Sequence, residues 1–111
     1  MEHHILKIPV KPGMRGQVEQ RLKAHELRRE ELDAAHAARQ VEEVVMFLDG
    51  DGTNDVLFIY RRGLNLEKAG AKFLLDPSAP DKDFTRLLLE ATNFEEALVL
   101  PVGFRWPALE G

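Results

Sequence analysis

The sequence lacks cysteine and long apolar runs, and each absence narrows what the protein can be. Without cysteine among its 111 residues the chain has no disulfide and no thiol chemistry, so cysteine usage indicates no compartment. No apolar stretch approaches the roughly 20 residues of a membrane span. The N-terminus, MEHHILKIPV, also lacks the basic and apolar regions of a signal peptide. The sequence therefore predicts a soluble, cytoplasmic protein without membrane contact.

The chain also lacks an excess of basic residues. Its net charge of −4 argues against nucleic acid as a partner, since phosphate binding needs a concentrated basic face. The run VLFIYR lacks the glycine and aromatic signature with which RNA-binding domains of similar topology stack bases. Hydrophobic residues make up 44% of the chain, enough for a core, and no repeat or linker divides it. We expect one domain over residues 1–105 and a C-terminal tail over 106–111.

The stretch FLDGDGTNDVLFIY, residues 47–60, has acidic residues spaced like the start of a calcium loop. Such a loop needs glycine at its position 6 and a bidentate glutamate at position 12. Counted from Asp49, these positions hold Asn54 and Tyr60. The flanking runs, VEEVVMFL and VLFIYR, are β-branched and aromatic and have the length of strands. The stretch predicts a β-hairpin with its loop at residues 49–55, and we predict no metal site and no cofactor.

A long helix is predicted after the first strand. The strand spans residues 3–10, and the proline-free stretch 14–39 is rich in Ala, Leu, Glu and Arg, which are good helix formers. Such a helix is on the order of 37 Å long, whereas a seven-residue strand spans only about 23 Å. The helix must therefore overhang its sheet, bend, or reach a neighbouring subunit.

The second half of the chain predicts two shorter helices and a last strand. Asn65 is expected to cap the first helix, and Ser78 with Asp81 has capping-box spacing for the second. Residues 95–104, EEALVLPVGF, read as a strand. The whole order predicts an α+β, ferredoxin-like βαββαβ fold, with an antiparallel four-stranded sheet and helices on one face.

Both faces of the predicted sheet are apolar, although the face without helices should be polar. Val44 and Met46 of the second strand point one way, and Val45 and Phe47 point the other. A naked apolar face of several hundred Å² is an interaction surface. We therefore expect a homodimer formed through the sheet face. The alternation does not say which face meets the partner.

At this point the chain resembles a known group of proteins. ILKIPVKPGMRGQVEQRL, a strand, a KPG turn and the first helix, resembles the opening of the dimeric α/β-barrel superfamily, in which two ferredoxin-like subunits pack their sheets together. RREEL followed by VEEVVMFL is most similar to a small bacterial family of unknown function, related to antibiotic-biosynthesis monooxygenases and rhamnose-mutarotase-like proteins. The resemblance implies the fold and a dimeric α/β barrel.

The resemblance also implies candidate residues. Such relatives carry an Arg-Glu pattern late in the first helix and a glutamate at the start of the second strand, which here would correspond to Arg28, Arg29, Glu31, Glu42 and Glu43. They also have a histidine near the start of the last helix. This chain has PDKDF there, so any role of that histidine is missing or replaced.

A candidate pocket follows from the long helix. One stripe of its helical wheel holds Met14, Val18, Leu22, His25, Arg29, Leu32 and His36. The polar half of this stripe is expected to face the sheet or a dimer partner, with Glu42 or Glu43 as the nearest acids. With Tyr60, these residues would form a pocket for a small anionic or hydroxylated molecule. Arginine binds carboxylates in bidentate fashion, and histidine moves protons near neutral pH.

Other interpretations remain open. The same polar residues fit a partly solvated boundary where the helix leaves its sheet, with Arg29 reaching towards water. Three functional classes remain: a small-molecule-binding dimer, a cofactor-independent enzyme of the monooxygenase or mutarotase type, and a structural dimerisation protein. No catalytic residue is predicted, because the sequence has no clear acid–base pair, phosphate loop or nucleophile elbow. We prefer the small-molecule-binding dimer.

Overall fold

The computed structural model describes residues 1–101, 103–104 and 106 of the chain. Within them the elements, in chain order, are β1 (Glu2–Pro9), α1 (Arg15–Glu26), α2 (Arg29–Ala38), β2 (Val41–Asp49), β3 (Val56–Gly63), α3 (Leu66–Leu75), α4 (Ala79–Ala91) and β4 (Leu98–Pro101). The predicted tail, 106–111, lies almost wholly outside the described residues. The single domain over residues 1–105 stays a prediction.

The four described strands form one sheet in the order β2-β3-β1-β4, and every neighbouring pair is antiparallel. This is the strand order of a ferredoxin-like fold, so the predicted α+β fold is confirmed. Leu57 and Ile59 of β3 are buried beneath the helices, and we call their side the covered face. The opposite side, which carries Phe58 and Tyr60, is the open face. The core lies against the covered face and includes Ile8, Val18, Phe84, Leu87 and Leu88.

The predicted β-hairpin is confirmed, because β2 and β3 pair up to Asp49 and Val56 at the base of their loop. The buried Asp55 organises the loop: its Oδ1 accepts hydrogen bonds from Arg15 Nη1 (2.8 Å) and from the Gly52 N–H (3.0 Å). Gly50 has φ of 135°, and a Cβ there would lie 2.3 Å from Asp55 Oδ1. Only glycine fits this position without strain.

The prediction of one continuous helix over residues 14–39 is wrong, because the helix breaks at Leu27 and Arg28. Arg28 has φ −89° and ψ 47°, outside the helical region, and Leu27 is 85% exposed. The Arg28 guanidinium is bound by Glu31 and Asp83, so the break is tied to α4. Of the three solutions open to a helix longer than its strands, the chain therefore bends. After the bend, α2 follows the sheet and contacts β2 and α4.

The capping predictions for α3 and α4 are confirmed. Asn65 Oδ1 accepts a hydrogen bond from the Lys68 N–H (3.0 Å). Ser78 Oγ accepts from the Asp81 N–H (3.3 Å), while Asp81 Oδ2 accepts from the Ser78 N–H (2.8 Å), which completes a capping box. Among the described residues no helix combines the length and apolar character needed to cross a membrane.

The last strand is shorter than the predicted 95–104. Phe94–Glu96 forms a 3-10 turn, held to the sheet by a hydrogen bond from the Asn93 N–H to the Pro9 carbonyl (2.9 Å), and β4 begins only at Leu98. Strand β4 ends at Pro101, and the rest of the predicted strand lies outside it, with residue 102 beyond the described part.

Candidate functional site

A cavity of about 430 Å³ lies between the helices and the covered face of the sheet, and we call it the central cavity. Most of its wall is apolar. Ile8, Met46 and Ile59 line it from the sheet, and Phe73, Phe84 and Leu88 line it from α3 and α4. Its polar lining residues are His25, His36, Arg39, Arg61 and Asp81. A concave, mostly apolar site with few polar groups is the usual form of a small-molecule pocket.

Two histidines reach the central cavity from the two halves of the bent helix. The His25 ring lies 5.4 Å from the Phe84 ring, measured between centroids. Burial lowers the pKa of His25, and the positive charge of Arg28 lowers it further. Burial also lowers the pKa of His36, with Arg39 as the next cause. Both imidazoles therefore favour the neutral form, which can accept one proton and donate another.

Arg39 and Asp81 form a buried ion pair in the cavity wall. Both Nη atoms of Arg39 donate to the two carboxylate oxygens of Asp81, Nη1 to Oδ1 at 3.1 Å, and the side chains are only 8% and 6% exposed. The Arg39 Cζ also lies 5.7 Å from the centre of the Phe73 ring. Burial raises the pKa of Asp81, but the hydrogen bonds from Arg39 and Ser78 outweigh it, and the net pKa is lowered. The pair is therefore charged and compensated within the chain.

Arg61 has a different environment from Arg39. Its Nε and Nη2 lie 3.2 Å and 3.0 Å from Nε2 of His4, so His4 presents an unprotonated nitrogen to the guanidinium. Burial, followed by the charge of Arg61, lowers the pKa of His4 in agreement with this tautomer. Burial also lowers the pKa of Arg61 itself. Within the described part of the chain no carboxylate binds Arg61, which leaves a largely desolvated cation beside the cavity.

The structure divides the six predicted site residues among three places, one of which is the open face, where Tyr60 lies. His25 and His36 line the central cavity. Arg29, Glu42 and Glu43 lie outside it, where together with His36 they line a concavity of about 640 Å³ that we call the outer groove. Of the six predicted residues, His36 is the one that lines both the cavity and the groove.

The predicted orientation of Arg29 is wrong. Its side chain is 80% exposed, and its ion pair with Glu26 is long, at 3.9 Å. The helical wheel assumed a continuous helix, but the break turns Arg28 inward in place of Arg29, while Leu32 and His36 keep their predicted side. The half-buried residues after the break are Arg28, Leu32, Ala35, His36 and Arg39, so Arg29 turns to water.

The predicted contact between Tyr60 and the helix-side residues is also wrong within this chain. Tyr60 pairs with Ile5 of β1 and Val45 of β2 on the open face, because Leu57 and Ile59 take the covered face. The Tyr60 hydroxyl is shielded from solvent yet has no hydrogen-bond partner among the described residues. Because each strand carries apolar side chains on both sides, the sequence does not indicate which side the helices cover.

Sequence reasoning missed Arg39, Arg61 and Asp81. Arg61 follows Ile59 by two residues on the same strand, so its position became readable only once the covered face was known. The spacing of Ser78 and Asp81 predicts a capping role for Asp81, but it does not indicate that the same carboxylate also binds Arg39. No group of three or more His, Asp or Glu in the described part of the chain could hold a metal ion.

One of three comparisons with known proteins found a match, and it supports the fold. A comparison with protein-family models found no match, and neither did one with curated protein sequences. Among solved structures, the chain is similar to the crystal structure of L-rhamnose mutarotase from Formosa agariphila, with a TM-score of 0.60 and 14% sequence identity. The alignment covers 99% of this chain and 100% of that one. At this identity the likeness shows the fold alone.

Proposed function

We propose that the protein binds a small polar or anionic molecule in the central cavity. The observation that carries this proposal is that His25, His36 and Arg61 line a mostly apolar cavity. Burying such groups costs free energy unless they gain partners, and desolvated titratable groups in a cleft are typical of functional sites. Arg39 and Asp81 compensate one another, so they would form a fixed wall, while Arg61 and the imidazoles are available to a ligand.

The same chain is proposed to be a homodimer through the open face. Apolar side chains there are exposed, among them Val45, Phe47, Leu98 and Leu100. His3 Nδ1, Tyr60 Oη and Arg62 Nε lie on this face too, and they are shielded from solvent without hydrogen-bond partners in the described part of the chain. A second sheet against this face would bury the apolar groups and could supply the missing partners.

The dimer is tested by sedimentation. The wild-type protein at micromolar concentration is expected to sediment with a mass of twice 12.6 kDa. Val45→Asp is expected to sediment as a monomer, because a dimer would have to bury an unpaired charge in its interface. Leu75→Asp is the matched control, since Leu75 is exposed on α3, away from the sheet. A wild-type monomer, or equal behaviour of the two variants, would contradict the dimer.

A second candidate function is isomerisation of the mutarotase type. It is favoured by two histidines that line one cavity and whose lowered pKa values favour the neutral form. The similar solved structure is an L-rhamnose mutarotase. In mutarotation a base removes the proton of the anomeric hydroxyl, an acid protonates the ring oxygen, and the bond between that oxygen and the anomeric carbon breaks to give the open aldehyde. Reclosure on the other face reverses both proton transfers. His25 and His36 are proposed as base and acid. Polarimetry or saturation-transfer NMR with aldoses tests this candidate.

Ligand binding is tested with a cavity-blocking variant. Gly70 lines the cavity on α3, and a Cβ added there meets no atom within 4 Å, so Gly70→Leu should fold and fill space beside the site. Gly16→Leu is the matched control: it is also a helical glycine with open space, but it is exposed on α1.

In a thermal-shift screen of carboxylates, sugars and phenols, a true ligand should raise the melting temperature of the wild type and of Gly16→Leu, following RT ln(1 + [L]/Kd). It should raise that of Gly70→Leu much less. If no compound stabilises the wild type, or if hits stabilise Gly70→Leu equally, the cavity is not the site.

A further inference from the structure

The two arginines of the central cavity differ in how their charges are satisfied. Arg39 is bound by both oxygens of Asp81. Among the described residues, Arg61 is bound only by the unprotonated nitrogen of His4, which accepts hydrogen bonds but carries no negative charge. With His25 and His36 favouring the neutral form and Asp81 bound to Arg39, no further acid among the lining residues of the central cavity balances the charge of Arg61. A single anionic group would balance it, and a dianion would not.

The guanidinium of Arg61 also has an unused donor. His4 accepts from Nε and from one N–H of Nη2, which leaves the second N–H of Nη2, and Nη1 donates no hydrogen bond within the described part of the chain. A carboxylate can bind at the Nη1–Nη2 edge with two parallel N–H to O bonds, which is the geometry that arginine offers to planar anions. The contact with His4 fixes the plane of the guanidinium before a ligand arrives and so lowers the entropy lost on binding.

The rest of the cavity limits the body of the ligand. Beyond its five polar residues the wall is made of aliphatic and phenyl groups from the sheet, α3 and α4. A hydroxyl placed against such a wall without a partner costs free energy, so a molecule that carries hydroxyls on every carbon fits poorly. Aliphatic or aromatic carbon gains from the same contact.

We infer that the ligand of the central cavity is a small monocarboxylate with an aliphatic or aromatic body, its carboxylate bound to Arg61 and its body among the side chains of the apolar wall. This inference rests on the proposed function and specifies its ligand class. A cavity of about 430 Å³ has ample room for a body of the size of a phenyl ring or a short alkyl chain.

The experiment uses matched probes and calorimetry on the full chain. Benzoate and benzamide have nearly the same shape, but only benzoate is anionic; hexanoate and L-rhamnose extend the set. Wild-type protein should bind benzoate and hexanoate about tenfold or more tightly than benzamide, because a charge-assisted bidentate contact is lost in the amide. Arg61→Gln should lose about the same factor for benzoate. Arg86→Gln, exposed on α4 and not part of the cavity lining, is the control and should bind benzoate like the wild type.

The outcomes separate this inference from the proposed function. If L-rhamnose binds in a way that Gly70→Leu abolishes, while benzoate and benzamide bind equally weakly, the cavity is a site but the ligand class is wrong. If Arg61→Gln binds benzoate as well as the wild type does, the inference is overturned. Should Arg61→Gln fail to fold, the comparison of benzoate with benzamide on wild-type protein still decides it. If no probe of either class binds, the proposed function and the inference both fall.

Discussion

The two faces of the sheet are built from similar apolar residues, but one face is buried beneath the helices and the other is exposed. On the covered face Ile8, Leu57 and Ile59 are almost fully buried, and Arg39 and Arg61 are hydrogen-bonded to Asp81 and His4. On the open face Phe47 is 55% exposed, and three shielded polar atoms have no partner among the described residues. The apolar side chains of the covered face are thus buried within one chain and should carry most of the stability. The open face is incomplete and should matter for assembly.

The largest expected effect comes from breaking the buried ion pair under the covered face. Asp81→Asn leaves Arg39 charged and buried without a carboxylate, which should lower the free energy of unfolding by about 3–5 kcal/mol. Urea unfolding followed by circular dichroism measures this loss. The control is Asp83→Asn, because Asp83 is a half-exposed partner of Arg28, and the loss there should be much smaller. Equal losses in the two variants would contradict the distinction between paired interior and solvated surface.

A second prediction compares the two faces directly with one kind of substitution. Leu57→Ala removes a fully buried side chain from the core and should cost about 2–5 kcal/mol of unfolding free energy. Phe47→Ala removes a larger side chain from the open face. In a monomer it should lower the unfolding free energy by less than Leu57→Ala does, since the Phe47 side chain is already exposed to water. The measurement is made in the monomeric Val45→Asp background to separate folding from assembly. A larger loss for Phe47→Ala would mean that the open face belongs to the folding core.

These contrasts also explain how much of the fold was readable from sequence. The order of elements, the hairpin and both caps depend on local signals: β-branched runs, the Gly and Asp residues of the loop, and Asn65, Ser78 and Asp81. The helix break has no such signal, because the two residues at the break, Leu27 and Arg28, are not helix breakers like proline or glycine. It is held by Arg28 with Asp83, a contact between residues far apart in sequence.

The candidate site was less predictable for the same reason. His25 and His36 were found because residues of one helical stripe keep their phase up to a break and partly beyond it. Arg61 and Arg39 were missed because their burial depends on which sheet face the helices cover and on where α2 ends. Both are tertiary facts that periodicity does not encode when the two faces of a strand are equally apolar.

A third prediction uses pH to probe the histidines of the covered face. His4, His25 and His36 have lowered pKa values, so the unfolded chain binds protons more readily than the folded one below about pH 6.5. The free energy of unfolding should therefore be constant above that pH and should fall as the pH decreases from about 6.5 towards 5.5. Carboxylates with lowered pKa values act only at more acidic pH. Denaturant midpoints across this range measure the effect, and His36→Gln should flatten the curve. A flat curve for the wild type would show that the histidines are solvated.

The smallest expected effect belongs to Arg29, and it tests the helix break. In a continuous helix Arg29 would lie on the buried stripe with Leu22 and His25, and Arg29→Ala would disturb the core. With the break, its guanidinium is exposed and meets only Glu26 at 3.9 Å, so Arg29→Ala should change the free energy of unfolding by no more than about 0.5 kcal/mol. Arg28→Ala is the control one residue earlier. It releases the ties to Glu31 and Asp83 and should cost distinctly more. If Arg29→Ala proves the costlier of the two in urea unfolding, the inward stripe of α2 runs through Arg29 and the helix is continuous in solution.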